Sequence, residues 1–326
     1  MPPGRKVTTM DTDSRKVFFF TGEKKVIPSI GKKREKGKIV ASLEEAFRLA
    51  DVRDGMTISF HHHLRDGDLV VNMALDVLAK MGIRDLVLAP SALFPVHERL
   101  LRHVRSGVIR SIEGSVNGPV GRAASEGLFS SPVILRSHGG RVRAMQAGEL
   151  RVDVAVLAAP AADAMGNLSG ISGPSACGSL GYAFTDAQYA DRVIAVTDNL
   201  VSYPAVPFSI PQTLVDWVVP VESIGVPEKI VSGTLRVTRD PLRLIIAEHV
   251  AKVVEESGLF TDGFSMQAGA GGISLAASAF IRERMKAAGI RGSFISGGIT
   301  GQSVEMLEEG LFESLLDVQS FDLEAV

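Results

Sequence analysis

Three histidines stand side by side, His61, His62 and His63, in the stretch FHHHLRDGD, at the end of the short apolar run Met56–Phe60. In an extended chain successive side chains alternate, so His61 and His63 face one way and His62 the other. Imidazoles in this place can hold a metal, move protons or hold an anion, or they can merely stand in an exposed turn. A catalytic zinc on the i, i+2 pair needs a third ligand, and no cysteine or carboxylate follows at a recognisable ligand spacing; Asp66 and Asp68 come in the next turn. The expectation is therefore a polar, partly cationic lip over an anion site, with no metal.

Three glycine-rich turns could supply backbone N–H groups to an oxyanion. Ser137, His138, Gly139, Gly140 and Arg141 follow the apolar run PVILRS, and the end of a strand is where α/β folds bind ligands. Arg141 and Arg143 could grip a carboxylate through two nitrogens each, or could be surface charges. The second turn, QAGAGG, contains Gln267, Gly269, Gly271 and Gly272. It approaches a dinucleotide fingerprint, but Ser274 stands where the last glycine belongs and no acidic residue clearly ends a following strand; tight packing or contact with an acyl arm are the other readings. The third, SGGITG, puts Ser296, Gly297 and Gly298 where a turn could stabilise an oxyanion, or where small residues simply suit a turn. Asn167, after Gly166 in GNLSG, suits a left-handed turn. Cys177 has no histidine beside it in sequence and is a poor candidate nucleophile.

The elements that would position these residues alternate. SLEEAFRLADV has apolar residues at helical spacing, with Ser42 as N-cap and Glu45 completing a capping box. Met56–Phe60 predicts a strand, 70–83 an amphipathic helix closed by Gly82, and 85–90 the next strand: a βαβ unit. The apolar runs 132–137, 152–160 and 192–200 predict buried parallel strands, and 217–224 another. PAVPFSIP predicts a surface loop, because proline lacks the ladder donor. Asp240 caps a long helix, 240–257, with Pro241 at its first position. A weak repeat matches GMTISF…LAKMGIRDLVLAP to GFSMQAGAGG…MKAAGIRGSFIS, at an offset of 207 (Gly289 minus Gly82). The expected fold class is α/β, two related open domains with mainly parallel sheets: a basic arm over 1–40, a first domain over 41–230, and the start of a second over 231–326, apparently truncated.

Bulk composition narrows the function. The net charge is −2, so no global basic field points to nucleic acid; the local run Lys24–Lys38 is read as a solvated arm. Aromatics are 6%, too sparse for a base-stacking surface. No run of about 18 apolar residues and no signal peptide is recognised, and a lone cysteine suits a reducing cytoplasm, where the protein is expected.

HHHLRDGDLVVNM, SHGGRVRAMQAGEL, GNLSGISGPSACGSLGYAFTDAQYADRVIAVTDNL and QAGAGGISLA, in that order, closely resemble the citrate lyase alpha subunit family, which has the coenzyme A transferase fold. The resemblance runs from about Gly37 to Val326 and implies an acyl transferase. Citrate would replace acetate on the phosphopantetheine thioester of an acyl carrier protein. No cofactor would be bound covalently to this chain, since the CoA-like thioester comes with the carrier (gamma) subunit; a beta subunit would cleave the product, and a homo-oligomer within the complex is expected. On this resemblance His61, His62, His63, the Ser137–Arg141 turn and Asn167 would bind substrate, the Gln267–Gly272 turn would bind the pantetheine thioester, and Ser296–Gly298 would hold the oxyanion. Covalent transferases of the fold carry a glutamate near this last segment, and GSFISGGITGQ has no carboxylate, which implies direct attack by citrate through a mixed anhydride. Chains of the family are usually longer. Other readings are a non-catalytic scaffold of the same complex, a transferase or hydrolase of free acyl-CoA, and a nicotinamide dehydrogenase resting on GAGG alone.

Overall fold

The computed structural model describes residues 6–12, 15–21, 37–231, 237–269 and 271–326, the first two stretches as backbone only. β1 (Lys6–Thr12) and β2 (Arg15–Thr21) pair antiparallel. Most of the Lys24–Lys38 basic run lies outside the described residues. Lys38 itself is buried, with its ammonium donating to the Gln212 carbonyl, rather than solvated.

Helix α1 (Leu43–Leu49) starts as its capping signal requires. The Ser42 hydroxyl accepts Glu45 N–H at 3.1 Å, and the Glu45 carboxylate reaches back to Ala41 N–H at 2.9 Å. There follow β3 (Thr57–Phe60), α2 (Val70–Lys80), β4 (Leu86–Pro90), α3 (Leu100–Arg105), β5 (Ile109–Gly114), α4 (Gly118–Ser125), β6 (Ile134–Leu135), α5 (His138–Gln146) and β7 (Val154–Ala158). The chain continues through β8 (Ala161–Asp163), β9 (Leu168–Ser169), α6 (Gly181–Tyr189), β10 (Arg192–Thr197), β11 (Leu200–Val201), β12 (Trp217–Pro220) and α7 (Pro227–Ile230).

Seven of these strands form one parallel sheet in the order β12-β10-β7-β3-β4-β5-β6. Its strand β7 is apolar throughout, and every residue of it is buried, as a strand covered on both faces demands. The run 132–137, expected to be a buried strand, is not one. Only Ile134 and Leu135 pair, at the outer edge of the sheet against β5, and both are exposed. Sheet growth reverses between β3 and β7: from β3 the chain adds β4, β5 and β6 on one side, then returns to add β7, β10 and β12 on the other. Such a reversal opens a crevice at the carboxyl ends of the two strands.

After α8 (Pro241–Glu256), the second copy of the repeat is built like the first. β13 (Ser265–Ala268), α9 (Gly272–Ala288) and β14 (Gly292–Ile299) form a βαβ unit, followed by α10 (Gly301–Glu308) and β15 (Phe312–Ser320). Gly82 after α2 and Gly289 after α9 both take positive φ, 81° and 67°, a conformation that closes a helix cheaply only with glycine. The three strands are parallel, in the order β13-β14-β15. The largest hydrophobic cluster runs from Val40 to Ile230; two smaller ones gather residues from Ala247 to Phe312. β15 is the strand that meets the first unit. A Cβ on Gly178 would lie 1.9 Å from Ser320 Oγ, and one on Gly181 2.9 Å from Val318 Cα, so these glycines let the two backbones close up.

Candidate active site

The side chains gathered at the β3/β7 crevice are those of the histidine triplet. His61 Nε2 accepts Ala158 N–H at 2.8 Å, a bond across the point where sheet growth reverses. His61 must then carry its proton on Nδ1, which faces His63 Nδ1. His63 in turn holds its proton on Nε2 and donates it to the Val318 carbonyl of β15, at 3.1 Å. The result is a hydrogen-bonded chain from β7 through two imidazoles to the second unit, with every nitrogen in use. That removes both rings as metal ligands.

His62 points the other way, as alternation requires. The Ser91 oxygen, just past β4, accepts His62 N–H at 3.0 Å, and its hydroxyl lies 2.6 Å from His62 Nδ1. The hydroxyl can give its own proton to Nδ1, and in that tautomer His62 bears its proton on Nε2, for which no hydrogen bond is found among the described residues. The His62 ring lies 4.8 Å from that of His138 and 5.0 Å from that of Tyr182, centroid to centroid. Gln319 of β15, buried, donates its side-chain amide to the carbonyls of His62 (3.3 Å) and His63 (3.4 Å).

The triplet was expected to be partly cationic; burial makes it neutral. Desolvation pushes the His61 pKa down to about 3, aided by the neighbouring His62 and Arg141 charges. His62 and His63 are held well below the ordinary value, again by burial first and then by neighbouring cationic rings and, for His62, the arginines 141 and 65. His138, half-buried, is lowered by burial and then Arg141. Burial raises the Tyr182 hydroxyl. The site is a neutral donor surface.

The remaining expected residues are placed as follows. Ser137 caps α5: its hydroxyl accepts Gly140 N–H at 3.1 Å, and a Cβ on Gly140 would press on that hydroxyl at 2.7 Å, while Gly139 is open. The turn brings only His138 into the ring cluster. Arg141, expected to hold a carboxylate of the substrate, is buried and committed to Asp186 of α6, with Nη1 to Oδ1 at 2.7 Å and Nη2 to Oδ2 at 2.9 Å, and to the Ala89 carbonyl at 2.6 Å. Arg143 pairs with Glu149 at 2.9 Å. Asn167 spends its amide on Asp163 Oδ2 (2.7 Å) and its oxygen on Gln212 N–H (2.9 Å), and Gly166, not Asn167, takes the positive φ of that turn.

Ser296, Gly297 and Gly298 do not form a turn. They lie inside β14, where Gly297 has φ 101° and the register with β15 shifts between Gly297 and Gly298. Gly298 is glycine for space: a Cβ there would lie 1.9 Å from the Phe321 ring. The Gln267–Gly272 stretch is a strand-to-helix turn as expected, with Gln267 in β13, Gly271 as N-cap and Gly272 opening α9. Gln267 and Gly269 line a cavity of about 570 Å³ between β13, α8 and α9, whose walls include Val253, Leu259, Phe264 and Ile281 but none of the histidines. Cys177 is buried, and burial pushes its thiol up, which leaves it inert. No described helix is long and apolar enough to cross a membrane.

Several residues of the site were missed by the sequence reading: Ser91, Tyr182, Val318, Gln319 and Arg65. Tyr182 stands in a quoted family segment without a role. Arg65 stands in the quoted RDGD, two residues past the triplet.

The family model described as citrate lyase, alpha subunit (CitF) matches residues 36–326. The chain belongs to the citrate lyase alpha subunit family. The citrate lyase alpha chain of Klebsiella pneumoniae is 50% identical over 300 residues, 92% of this chain and 59% of that protein. A crystal structure of the citrate lyase alpha subunit from Streptococcus mutans, in complex with citrate, is 49% identical with a TM-score of 0.89, covering 93% of this chain and 60% of that one. An acyl-CoA transferase from Escherichia coli O157:H7, at 16% identity and a TM-score of 0.50 over 83% of this chain and 64% of that one, shares the fold. Two open, mainly parallel α/β units of the coenzyme A transferase type are thus this family's architecture here, and the chain spans about three fifths of the length of its citrate lyase relatives.

Proposed function

We propose that this chain carries the acyl-exchange chemistry of a citrate lyase: an acetyl thioester on the phosphopantetheine of an acyl carrier protein takes up citrate and releases acetate. The observation that carries this reading is the neutral donor cluster of His62, His138 and Tyr182 at the carboxyl ends of β3 and β4, in a chain whose Streptococcus relative is a citrate complex. A carboxylate is already a nucleophile at neutral pH, so the exchange needs donors and positioning more than a base. A citrate carboxylate oxygen attacks the thioester carbonyl, the C–S bond breaks, and the thiolate leaves a mixed anhydride. The thiolate then attacks the citryl carbonyl and acetate departs, with no net change in protons. Imidazoles kept neutral by burial donate hydrogen bonds to carboxylate or oxyanion without surrendering a proton to it. The absence of a carboxylate in GSFISGGITGQ supports direct exchange over a glutamyl-enzyme intermediate.

On this reading the pantetheine arm is supplied by a separate carrier (gamma) subunit and runs towards the Gln267–Gly272 turn, whose backbone opens α9. A lyase (beta) subunit consumes the citryl thioester, and the chain works as a homo-oligomer within the complex. The test is mass-resolved exchange: acetylated carrier protein with isotopically labelled citrate. Labelled citryl thioester and free acetate in equal amounts are expected. If no citryl thioester forms, either with this chain or with one extended to the length of its relatives, the reading is wrong. If only the extended chain is active, the family reading survives and these residues are an incomplete enzyme.

A further inference from the structure

Arg65 is a cation in search of a partner. It follows the triplet by two residues, and its backbone takes φ 52°, in the left-handed region that side chains other than glycine enter only at a cost. Its N–H donates to the His62 carbonyl at 3.0 Å, which fixes this kink against the triplet. The guanidinium carbon then lies 4.9 Å from the centroid of the Phe321 ring, just beyond β15. Phe321 itself rests on Gly298. The side chain is half-buried, and Nη1 is buried with no hydrogen-bond partner among the described residues. No carboxylate pairs with it there, whereas Arg141, the other cation felt by His62, has its charge met by a bidentate contact with Asp186, although its Nε is also buried without a partner.

An unpaired buried guanidinium N–H is costly in a folded protein, and so is a left-handed arginine. Both costs are incurred at one residue, beside the neutral donor cluster. Contact with an aromatic face uses none of the guanidinium N–H groups, and a planar fork of such groups can meet a carboxylate through two bonds. We propose that Arg65 is an oxyanion ligand of this site and takes a carboxylate of the small polycarboxylate substrate. That the bearer is citrate rests on the function proposed above; that Arg65 binds a carboxylate does not. One delocalised positive charge among neutral imidazoles and a Gln319 amide matches a single carboxylate.

The test compares the full chain with Arg65→Lys, Arg65→Gln and Arg65→Met. Binding of citrate, tricarballylate, inorganic phosphate and coenzyme A is measured by calorimetry, and thermal stability in parallel. The expected result is a loss of citrate and tricarballylate affinity of about 10- to 100-fold in the Gln and Met variants, with Lys intermediate and coenzyme A binding unchanged, the range for one charge-assisted bidentate pair. Stability in the absence of ligand should hold or rise, since the variants remove an unpaired buried charge. A residue with a purely structural role would instead lose stability. The proposal is overturned if the wild-type chain binds neither tricarboxylate, if the variants bind them as the wild type does, if stability falls in step with binding, or if phosphate and coenzyme A are the ligands lost. Carboxylate binding through Arg65 without thioester exchange would leave this inference standing and remove the functional reading instead.

Discussion

His61 and His63 meet through their Nδ1 atoms, and that contact is satisfied only while both rings are neutral. A proton added to His61 would have to sit on Nε2, against Ala158 N–H; one added to His63 would have to sit on Nδ1, against the Nδ1–H of His61. At the Nδ1 contact hydrogen bonding and burial therefore act in the same direction; only the Val318 carbonyl favours a charged His63, and burial outweighs it. In the unfolded chain these rings take up protons near pH 6.5, whereas in the folded protein they do not. Stability is present in full above pH 6.5 and falls with pH below it, down to about 3 for His61. Each such ring contributes about 1.4 kcal/mol per pH unit. Urea unfolding between pH 7.5 and 5.5, where exposed carboxylates barely titrate, should show a steep loss; a flat profile would contradict the neutral relay.

The relay also predicts coupling. Replacing His61 by Phe leaves Ala158 N–H and His63 Nδ1 without partners, and replacing His63 by Phe leaves the Val318 carbonyl and His61 Nδ1–H without theirs. Each change is expected to cost about 1–3 kcal/mol. Once one ring is gone the shared bond is gone too, so the double variant should be less unstable than the two effects summed. Denaturation of all four proteins in a double-mutant cycle measures this, and strict additivity would mean that the Nδ1–Nδ1 bond carries no weight.

The sequence made much of this architecture legible, and the reasons are local. Ser42 and Asp240 cap their helices through their own side chains, and Gly82 and Gly289 close theirs at positive φ. The alternation that sets His62 apart from His61 and His63 is a property of three consecutive residues. What was not legible depends on distant parts of the chain. Arg141 reads as a free cation until α6 brings Asp186 against it. Arg65 acquires meaning only beside Phe321, whose position is 256 residues further on (321 minus 65). SGGITG reads as a turn because glycines favour turns, yet these glycines answer a packing demand: Gly298 faces Phe321, and Gly292 earlier in the strand faces Phe312. A clash with a ring from the following strand leaves no trace in a short window of sequence.

The Arg141–Asp186 pair is expected to be structural rather than catalytic. Both side chains are buried and their bidentate contact joins α5 to α6 beneath the ring cluster. Asp186→Asn removes one charge and leaves the other, at a cost of about 3–5 kcal/mol, whereas the paired change Arg141→Met with Asp186→Leu should recover most of it. Thermal and chemical denaturation decide the matter. If Asp186→Asn is as stable as the wild type and citrate binding alone is lost, Arg141 is a ligand after all.

Gly298 offers a way to move Arg65 without touching it. Its backbone is not in the left-handed region, so alanine there brings no strain of its own; the whole effect is the methyl group meeting the Phe321 ring, 1.9 Å away at Cε2. The ring must swing aside, at an overpacking cost of about 1–3 kcal/mol, and the guanidinium loses the face on which it stacks. Gly298→Ala is therefore expected to weaken citrate binding several-fold as well as to lower stability. Adding Phe321→Ala to it removes the clash and should restore much of the stability, but it leaves Arg65 with no ring to rest on, so binding should stay weak. Calorimetry and denaturation on the same two variants separate these effects. If binding returns together with stability in the double variant, the Phe321 face is not what holds Arg65 in place.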